Sequence, residues 1–204
     1  HNGASEVYFG VPGFNARGRT IDFDLNDMKE MIELCHLYGV EANLAFNVVI
    51  FEDELRELTS FITEMIALSP DAFIVQDIGL VRLIKAIAPD MNIHVSTQMT
   101  VTNALAIEAL ENLDIKRVTL SREMTLTEIK DVSEKTNIEL EVFVHGALCV
   151  AYSGQCLTSE VFGGRSANRG QCAQTCRLDF ELIVDGESRD LDGKKYLLSP
   201  QDLC

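Results

Sequence analysis

The stretch AFIVQDIGLVRLIKAIAPDMNIHVSTQ, residues 72–98, decides the fold. Its ends, AFIVQD at 72–77 and NIHVSTQ at 92–98, are short runs rich in β-branched residues, and residues 79–87 between them carry apolar side chains at helical spacing. Strand, helix and strand in close succession make a βαβ unit, which requires parallel strands joined by a right-handed crossover. The same rhythm extends in both directions. Strand runs recur at EVYFG (6–10), EANLAFN (41–47), KRVTLSRE (116–123) and ELEVFVHG (139–146). Helical spacing recurs after Asp24 (Met28, Met31, Ile32, Leu34, Cys35, with Gly39 as C-terminal cap), across 53–68 (Leu55, Leu58, Ile62, Met65, Ile66), and over 102–111 and 125–135. Six strands alternating with five helices predict an α/β chain, either an open doubly wound sheet or a closed (β/α) barrel. No glycine-rich phosphate turn follows the early strands, which weakens the doubly wound, nucleotide-binding alternative and favours the barrel.

After Gly146 the rhythm breaks into a glycine- and polar-rich stretch running to about Arg177, followed by two strand-like runs, FELIVDG (180–186) and KKYLLSP (194–200). The expected organisation is therefore (β/α) barrel units over 1–148, a cysteine-rich segment over 149–180 inserted after the sixth strand, and return strands to the barrel over 181–204. The chain begins without Met and its end, YLLSPQDLC, breaks off mid-pattern, so the barrel is expected to be an incomplete piece of a longer protein.

Among the 204 residues 47% are apolar and 24% charged, which suits a globular core. No apolar run approaches the roughly 20 residues that span a bilayer, and no signal-peptide pattern is present, so a cytoplasmic location with no membrane partner is the expectation. The net charge of −15 argues against a general nucleic-acid binder. Locally the balance reverses: Arg165, Arg169 and Arg177 face only Glu160 and Asp179 between Cys149 and Phe180.

Barrels place their chemistry at the C-terminal ends of the strands. Polar residues expected there are Asn47, Gln76, Asp77, Gln98, Arg122, Glu123 and His145, with Arg17 and Arg19 in the loop after the first strand. Any one of them could merely cap a helix or tie down a loop, but a converging set predicts a polar ligand pocket. Arginine forks in such a set suit a small carboxylate-bearing molecule. His94 lies inside its strand and is expected to be a hydrogen-bonded structural histidine.

Four of the six cysteines fall in one short span, spaced Cys149-x6-Cys156-x15-Cys172-x3-Cys176. Zinc ribbons pair their thiols at two to four intervening residues, which the first interval exceeds, whereas iron–sulfur clusters need only four converging thiolates. In a reducing compartment the spacing ranks an iron–sulfur cluster ahead of structural zinc, then a cysteine nucleophile, then disulfides. The nucleophile alternative rests on His145, four residues before Cys149, as partner in a thiolate–imidazolium dyad. Cys35 falls in a helix and reads as a small buried apolar residue.

The segment EVFVHGALCVAYSGQCLTS, residues 141–159, resembles the signature of the collagenase-like U32 peptidase family, matching it at Glu141, Phe143, Gly146, Ala147, Leu148, Cys149, Gly154, Cys156, Leu157 and Ser159. Residues 163–180, 94–103 and 196–203 also resemble that family, so the likeness covers nearly the whole chain. It implies a TIM-barrel-like domain with an oxygen-labile 4Fe-4S cluster held by Cys149, Cys156, Cys172 and Cys176, with Cys204 able to stand in for Cys176. The better understood relatives imply support of RNA-base hydroxylation, at a tRNA wobble uridine or an rRNA cytidine, with prephenate as cosubstrate; another branch acts in ubiquinone synthesis. Against this pattern the chain lacks a first strand before His1 and everything after Cys204. In that reading His145, Arg122, Glu123 and Gln98 are the catalytic candidates, and Arg17, Arg19, Asn47, Gln76 and Asp77 hold the cosubstrate. The alternatives are a collagenase-like protease, although neither an H-E-x-x-H nor a G-x-S-x-G motif is present, and a scaffold barrel clipped by a structural metal. Oligomeric state stays open.

Overall fold

A computed structural model describes residues 2–16, 18 and 23–200. Strands β1 (Glu6–Gly10), β2 (Glu41–Phe46), β3 (Ala72–Val75), β4 (Asn92–Val95), β5 (Arg117–Thr119) and β6 (Glu139–Glu141) form one all-parallel sheet whose spatial order equals the chain order. Helices α1 (Leu25–Leu37), α2 (Leu55–Ala67), α3 (Ile78–Ile87), α4 (Ala104–Glu111) and α5 (Leu126–Ser133) form the five crossovers. A doubly wound sheet would reverse its strand order at a switch point, and this sheet does not; crossovers of one hand then set every helix on one face.

Alternation along the strands sorts the two faces. Leu44, Phe46, Phe73, Val75, Ile93, Val95 and Val118 bury themselves against Met28, Ile32, Leu58, Ile62, Met65, Leu80 and Ile84 of the helices. The other face is polar, carrying Glu6, Asn43, His94, Arg117, Thr119 and Glu141. Four of these five helices, all but α2, start where a side chain satisfies a free N–H group. Asp24 caps α1 in a reciprocal box with Asp27, Thr125 does the same for α5 with Glu128, and Asn103 caps α4.

The curvature of the sheet is read from one arginine. On β5, Arg117 Nη1 lies 2.5 Å from Glu6 Oε1 and 2.6 Å from Oε2 on β1, while Nη2 meets Glu139 Oε1 of β6 at 2.8 Å. In a flat sheet β1 and β5 stand four spacings apart, about 19 Å, farther than the two side chains reach. The sheet is therefore a curled half-barrel, with Arg117 bridging its lumen near the N-terminal ends of the strands. Arg117 also meets Glu141 at 3.3 Å, and Asn43 Nδ2 donates to Glu6 at 2.8 Å. His94 is buried beside this cluster, yet neither ring nitrogen has a hydrogen-bond partner among the described residues, so the expected hydrogen-bonded histidine is buried but unpaired. Burial, and then the Arg117 charge, push its pKa down to about 4, so the ring is neutral.

The strands stop earlier than their apolar runs suggest, because the next polar residue turns the chain: Asp77 caps α3 and Ser96 accepts from the Gln98 N–H. The expected return strands over 181–204 do not join the half-barrel among the described residues. Instead β7 (Leu182–Val184) pairs antiparallel with β8 (Glu187–Arg189), and 194–200 forms no strand. Asp185 and Gly186, at φ 54° and 82°, make the tight turn between them, the left-handed pair that an Asp-Gly dipeptide favours. No helix among the described residues is long and apolar enough to cross a membrane.

Candidate functional site

At the C-terminal ends of the strands lies a cavity of about 930 Å³. Its walls include Asn47 after β2, Gln98 after β4, Arg122 after β5 and His145 after β6, together with Cys149, Cys156, Cys172 and Cys176. Eight of the sequence-predicted site residues thus share one space. Glu141 also lines it; its side chain is aimed inward by strand alternation, and burial raises its carboxyl pKa despite the opposing Arg117 charge. Sequence reasoning placed Glu141 in a motif but gave it no role, although its place in the inward register of β6 was the available signal.

Other expected site residues lie elsewhere. Gln76 and Asp77 border a separate shallow depression with Val49 and Gly79. Asp77 Oδ1 accepts from the Leu80 N–H at 3.0 Å and Oδ2 from the Ile50 N–H at 3.3 Å, so its carboxylate is engaged in capping α3 and fixing the β2–α2 loop. Gln76 Oε1 is buried without a partner among the described residues. Glu123 is outside the cavity wall and holds the cysteine segment from behind. It accepts from the Ser153 N–H at 2.8 Å, from the Ser153 hydroxyl at 3.1 Å and from the Ser121 hydroxyl. Burial pushes the Glu123 carboxyl up, and these hydrogen bonds more than offset it, leaving the pKa below the usual range. Arg17, Arg19 and Cys204 lie outside the described residues.

Each interval of the cysteine segment is fastened to a different part of the barrel mouth. Between Cys149 and Cys156, Ser153 is fully buried: besides its bonds to Glu123, its carbonyl accepts from Thr100 Oγ1 at 2.5 Å and its hydroxyl from Arg122 Nε at 3.4 Å. Gly154, at φ +70°, packs where a Cβ would overlap the Gln98 carbonyl. Between Cys156 and Cys172, Arg169 donates to the Val49 carbonyl at 2.7 Å, forks onto the Glu54 carboxylate and covers the Phe51 ring at 5.1 Å. Hydrogen bonds from Arg169 in turn hold the Glu54 pKa down, against the effect of burial. Asn168 Oδ1 accepts from the Cys156 N–H at 3.0 Å, and the helix α6 (Thr158–Gly163) presents the buried Ser159, whose hydroxyl accepts from the Ala173 N–H at 2.9 Å. Beyond Cys176, Arg177 Nη2 donates to the Leu148 carbonyl at 2.7 Å and Nη1 to Ser199 Oγ at 2.8 Å. Two of the three arginines of this locally basic stretch, Arg169 and Arg177, are therefore engaged with the protein itself, while Arg165 is exposed.

Among the described residues these four thiols form no disulfide; Cys149 and Cys172 are exposed and Cys156 and Cys176 half-buried. Burial first, and then the other three thiols, push the Cys176 pKa up. Mutual repulsion of this kind is what a bound cationic group relieves, and an all-thiol donor set suits iron–sulfur chemistry or zinc. Among the described residues no three metal-binding side chains are gathered in ligating geometry. His145 and Cys149 line the same cavity, but no hydrogen bond joins them among the described residues.

The sequence profile of peptidase family U32 matches residues 1–204. The 23S rRNA 5-hydroxycytidine synthase of Escherichia coli is 38% identical over 201 residues, covering 98% of this chain and 30% of that protein. The tRNA hydroxylation protein P of Helicobacter pylori is 40% identical over 184 residues, covering 89% of this chain and 44% of that protein. A protein of Porphyromonas gingivalis named collagenase is 33% identical over 215 residues, covering 98% of this chain and 51% of its own. The chain thus spans about half or less of the length of these relatives. The solved structure of the U32 peptidase Mk0906 superposes with a TM-score of 0.61 at 16% identity, over 71% of this chain and 62% of that one, which shows a shared fold. Whole-length profile match, relatives at this level of identity and shared half-barrel agree: the chain belongs to peptidase family U32.

Proposed function

We propose that this chain carries the cluster-binding and cosubstrate-binding part of an iron–sulfur enzyme supporting hydroxylation of an RNA base, a tRNA wobble uridine or an rRNA cytidine, with prephenate as cosubstrate. The observation that supports this best is one cavity walled both by four cysteine thiols and by Asn47, Gln98, Arg122 and His145. Relatives named for tRNA and 23S rRNA hydroxylation support an enzyme acting on RNA, and with it the reading of a cytoplasmic protein.

Cys149, Cys156, Cys172 and Cys176 would hold a 4Fe-4S cluster, which supplies electron transfer when bound. The chain's own residues do the rest. The Arg122 guanidinium binds a carboxylate of the cosubstrate, and the amides of Asn47 and Gln98 orient its hydroxyl and carbonyl groups. His145 offers an imidazole nitrogen to the bound ligand beside the thiols. Glu123 and Glu54 keep the cysteine segment seated over the cavity through Ser153 and Arg169, limiting water at the site. With Arg169 and Arg177 committed internally, a phosphate backbone is met at Arg165.

Protein purified without oxygen is expected to absorb broadly near 400 nm and to hold about four irons and four sulfides per chain. Colourless protein with stoichiometric zinc would refute the cluster. In cells, one hydroxylated nucleoside should disappear on deletion and stay absent with Cys149→Ala. A second reading, a thiol protease, draws on the relative named collagenase and on His145 and Cys149 sharing the cavity. It requires metal-free protein to cleave gelatin, with cleavage abolished by Cys149→Ala.

A further inference from the structure

Tyr152 stands between Cys149 and Cys156 on the rim of the cavity, with 67% of its surface exposed. A tyrosine on a mobile loop would fold its ring onto nearby apolar surface, because exposed aromatic area is unfavourable in water. Here the two residues that follow fix the backbone that carries the ring. Ser153 is fully buried and fixed by Glu123 and Thr100, and Gly154 is wedged against the Gln98 carbonyl. The ring thus stands at the cavity on an anchored backbone and remains largely exposed. Phe143 and Tyr8 line the same cavity and are 43% and 46% exposed, while Asn47, Gln98 and Arg122 supply donors and acceptors in its wall.

Flat apolar faces at a rim, with amide and guanidinium groups in the wall, describe a receptor for a planar ring that has hydrogen-bonding edges. We infer that Tyr152 is a stacking platform for an unpaired pyrimidine base of an RNA strand, delivered out of its stack into the cavity beside the cysteine segment. This rests on the RNA reading above. An enzyme acting on a base must take it from the stack, and aromatic side chains compensate the lost stacking whatever the base. An extended peptide, by contrast, presents such a planar face only where it carries an aromatic side chain. The site therefore recognises single strands or loops, and paired RNA gains nothing from it.

The chain contains four tyrosines and no tryptophan, so tyrosine emission reports on the site directly. Titration of the full chain at low salt with a short single-stranded oligocytidylate or oligouridylate is expected to quench that emission. Tyr152→Ala should weaken binding about tenfold and remove most of the quenching, as loss of one base stack implies. Tyr152→Phe, which keeps the ring, should rescue affinity, and Tyr196→Ala, outside the cavity wall, should leave it unchanged. Circular dichroism confirms that each variant is folded. Absence of binding by the unmodified chain, equal binding of paired RNA, or undiminished binding by Tyr152→Ala would each overturn the inference. Nucleoside mass spectrometry separates its failure from failure of the RNA reading. A strain carrying Tyr152→Ala with normal hydroxylated nucleoside refutes the platform alone, whereas an unmodified gene that restores no nucleoside refutes the RNA reading.

Discussion

The neutral state of His94 makes the half-barrel acid-sensitive in a window that its carboxylates do not share. In the unfolded chain the imidazole titrates near 6.5, while in the folded chain burial and Arg117 lower its pKa to about 4. Between those values the unfolded state takes up a proton that the folded state refuses. Stability therefore falls as the pH drops through this window and is regained as it rises. The full effect of the shift is on the order of 3 kcal/mol, of which roughly 2 kcal/mol is lost between about pH 7 and pH 5. The lowered carboxyl groups of Glu6, Glu54 and Glu123 also lose stabilisation on acidification, but only as the pH falls below the unfolded carboxylate range, near 4. Glu141, whose pKa is raised, works in the opposite sense, its contribution fading as the pH rises. Urea unfolding at about pH 7, 6 and 5, for the unmodified chain and for His94→Leu, isolates the imidazole. The variant should lose much less stability over that range, whatever its absolute stability. Parallel curves, agreeing within about 0.5 kcal/mol at every pH, would show that His94 is solvated or paired and that the buried neutral ring is wrong.

Two further outcomes follow from the anchors of the cysteine segment. Glu54→Gln removes the anionic partner of a pair whose two side chains are each 23% exposed, and should cost about 1–2 kcal/mol in urea unfolding, with faster alkylation of Cys156 and Cys172 in reduced protein. Unchanged alkylation rates would show that the pair does not seat the segment. Gly154→Ala forces a side chain onto a φ of +70° and against the Gln98 carbonyl, so amide hydrogen exchange over 149–160 should rise while β2 and β3 stay protected.

The barrel class was legible because it rests on periodicity: the apolar runs at 72–75 and 92–95 and the helix between them appear in the structure nearly as read. Strand ends were less legible, since Asp77 and Ser96 look the same in sequence whether they enter a pocket or cap a helix. For Asp77 the capping role won, and Gln98 reached the cavity because the turn begun at Ser96 carries it there. The anchoring roles of Glu123 and Arg169 were not legible, for a different reason. Their partners, Ser153 and Glu54, lie 30 and 115 residues away, and no local pattern reports such contacts. The lumen cluster around Arg117 was invisible on the same ground. For the hairpin over 182–189 the Asp185–Gly186 dipeptide is a local signal, which the expectation of strands returning to the barrel passes over.

The Arg117 bridge also constrains the order in which this chain can fold. Glu6 finds its guanidinium partner across 111 residues of sequence, so β1 acquires its counter-charge only when β5 has formed. Until then β1 can pair with β2 through backbone hydrogen bonds but carries an uncompensated carboxylate. Closure of so long a loop is an entropic barrier that local helices do not share. The strands from β2 to β4 can therefore condense early with their helices, while β1 docks late. Perturbing Glu6 or Arg117 should then chiefly accelerate unfolding and leave the folding rate nearly untouched.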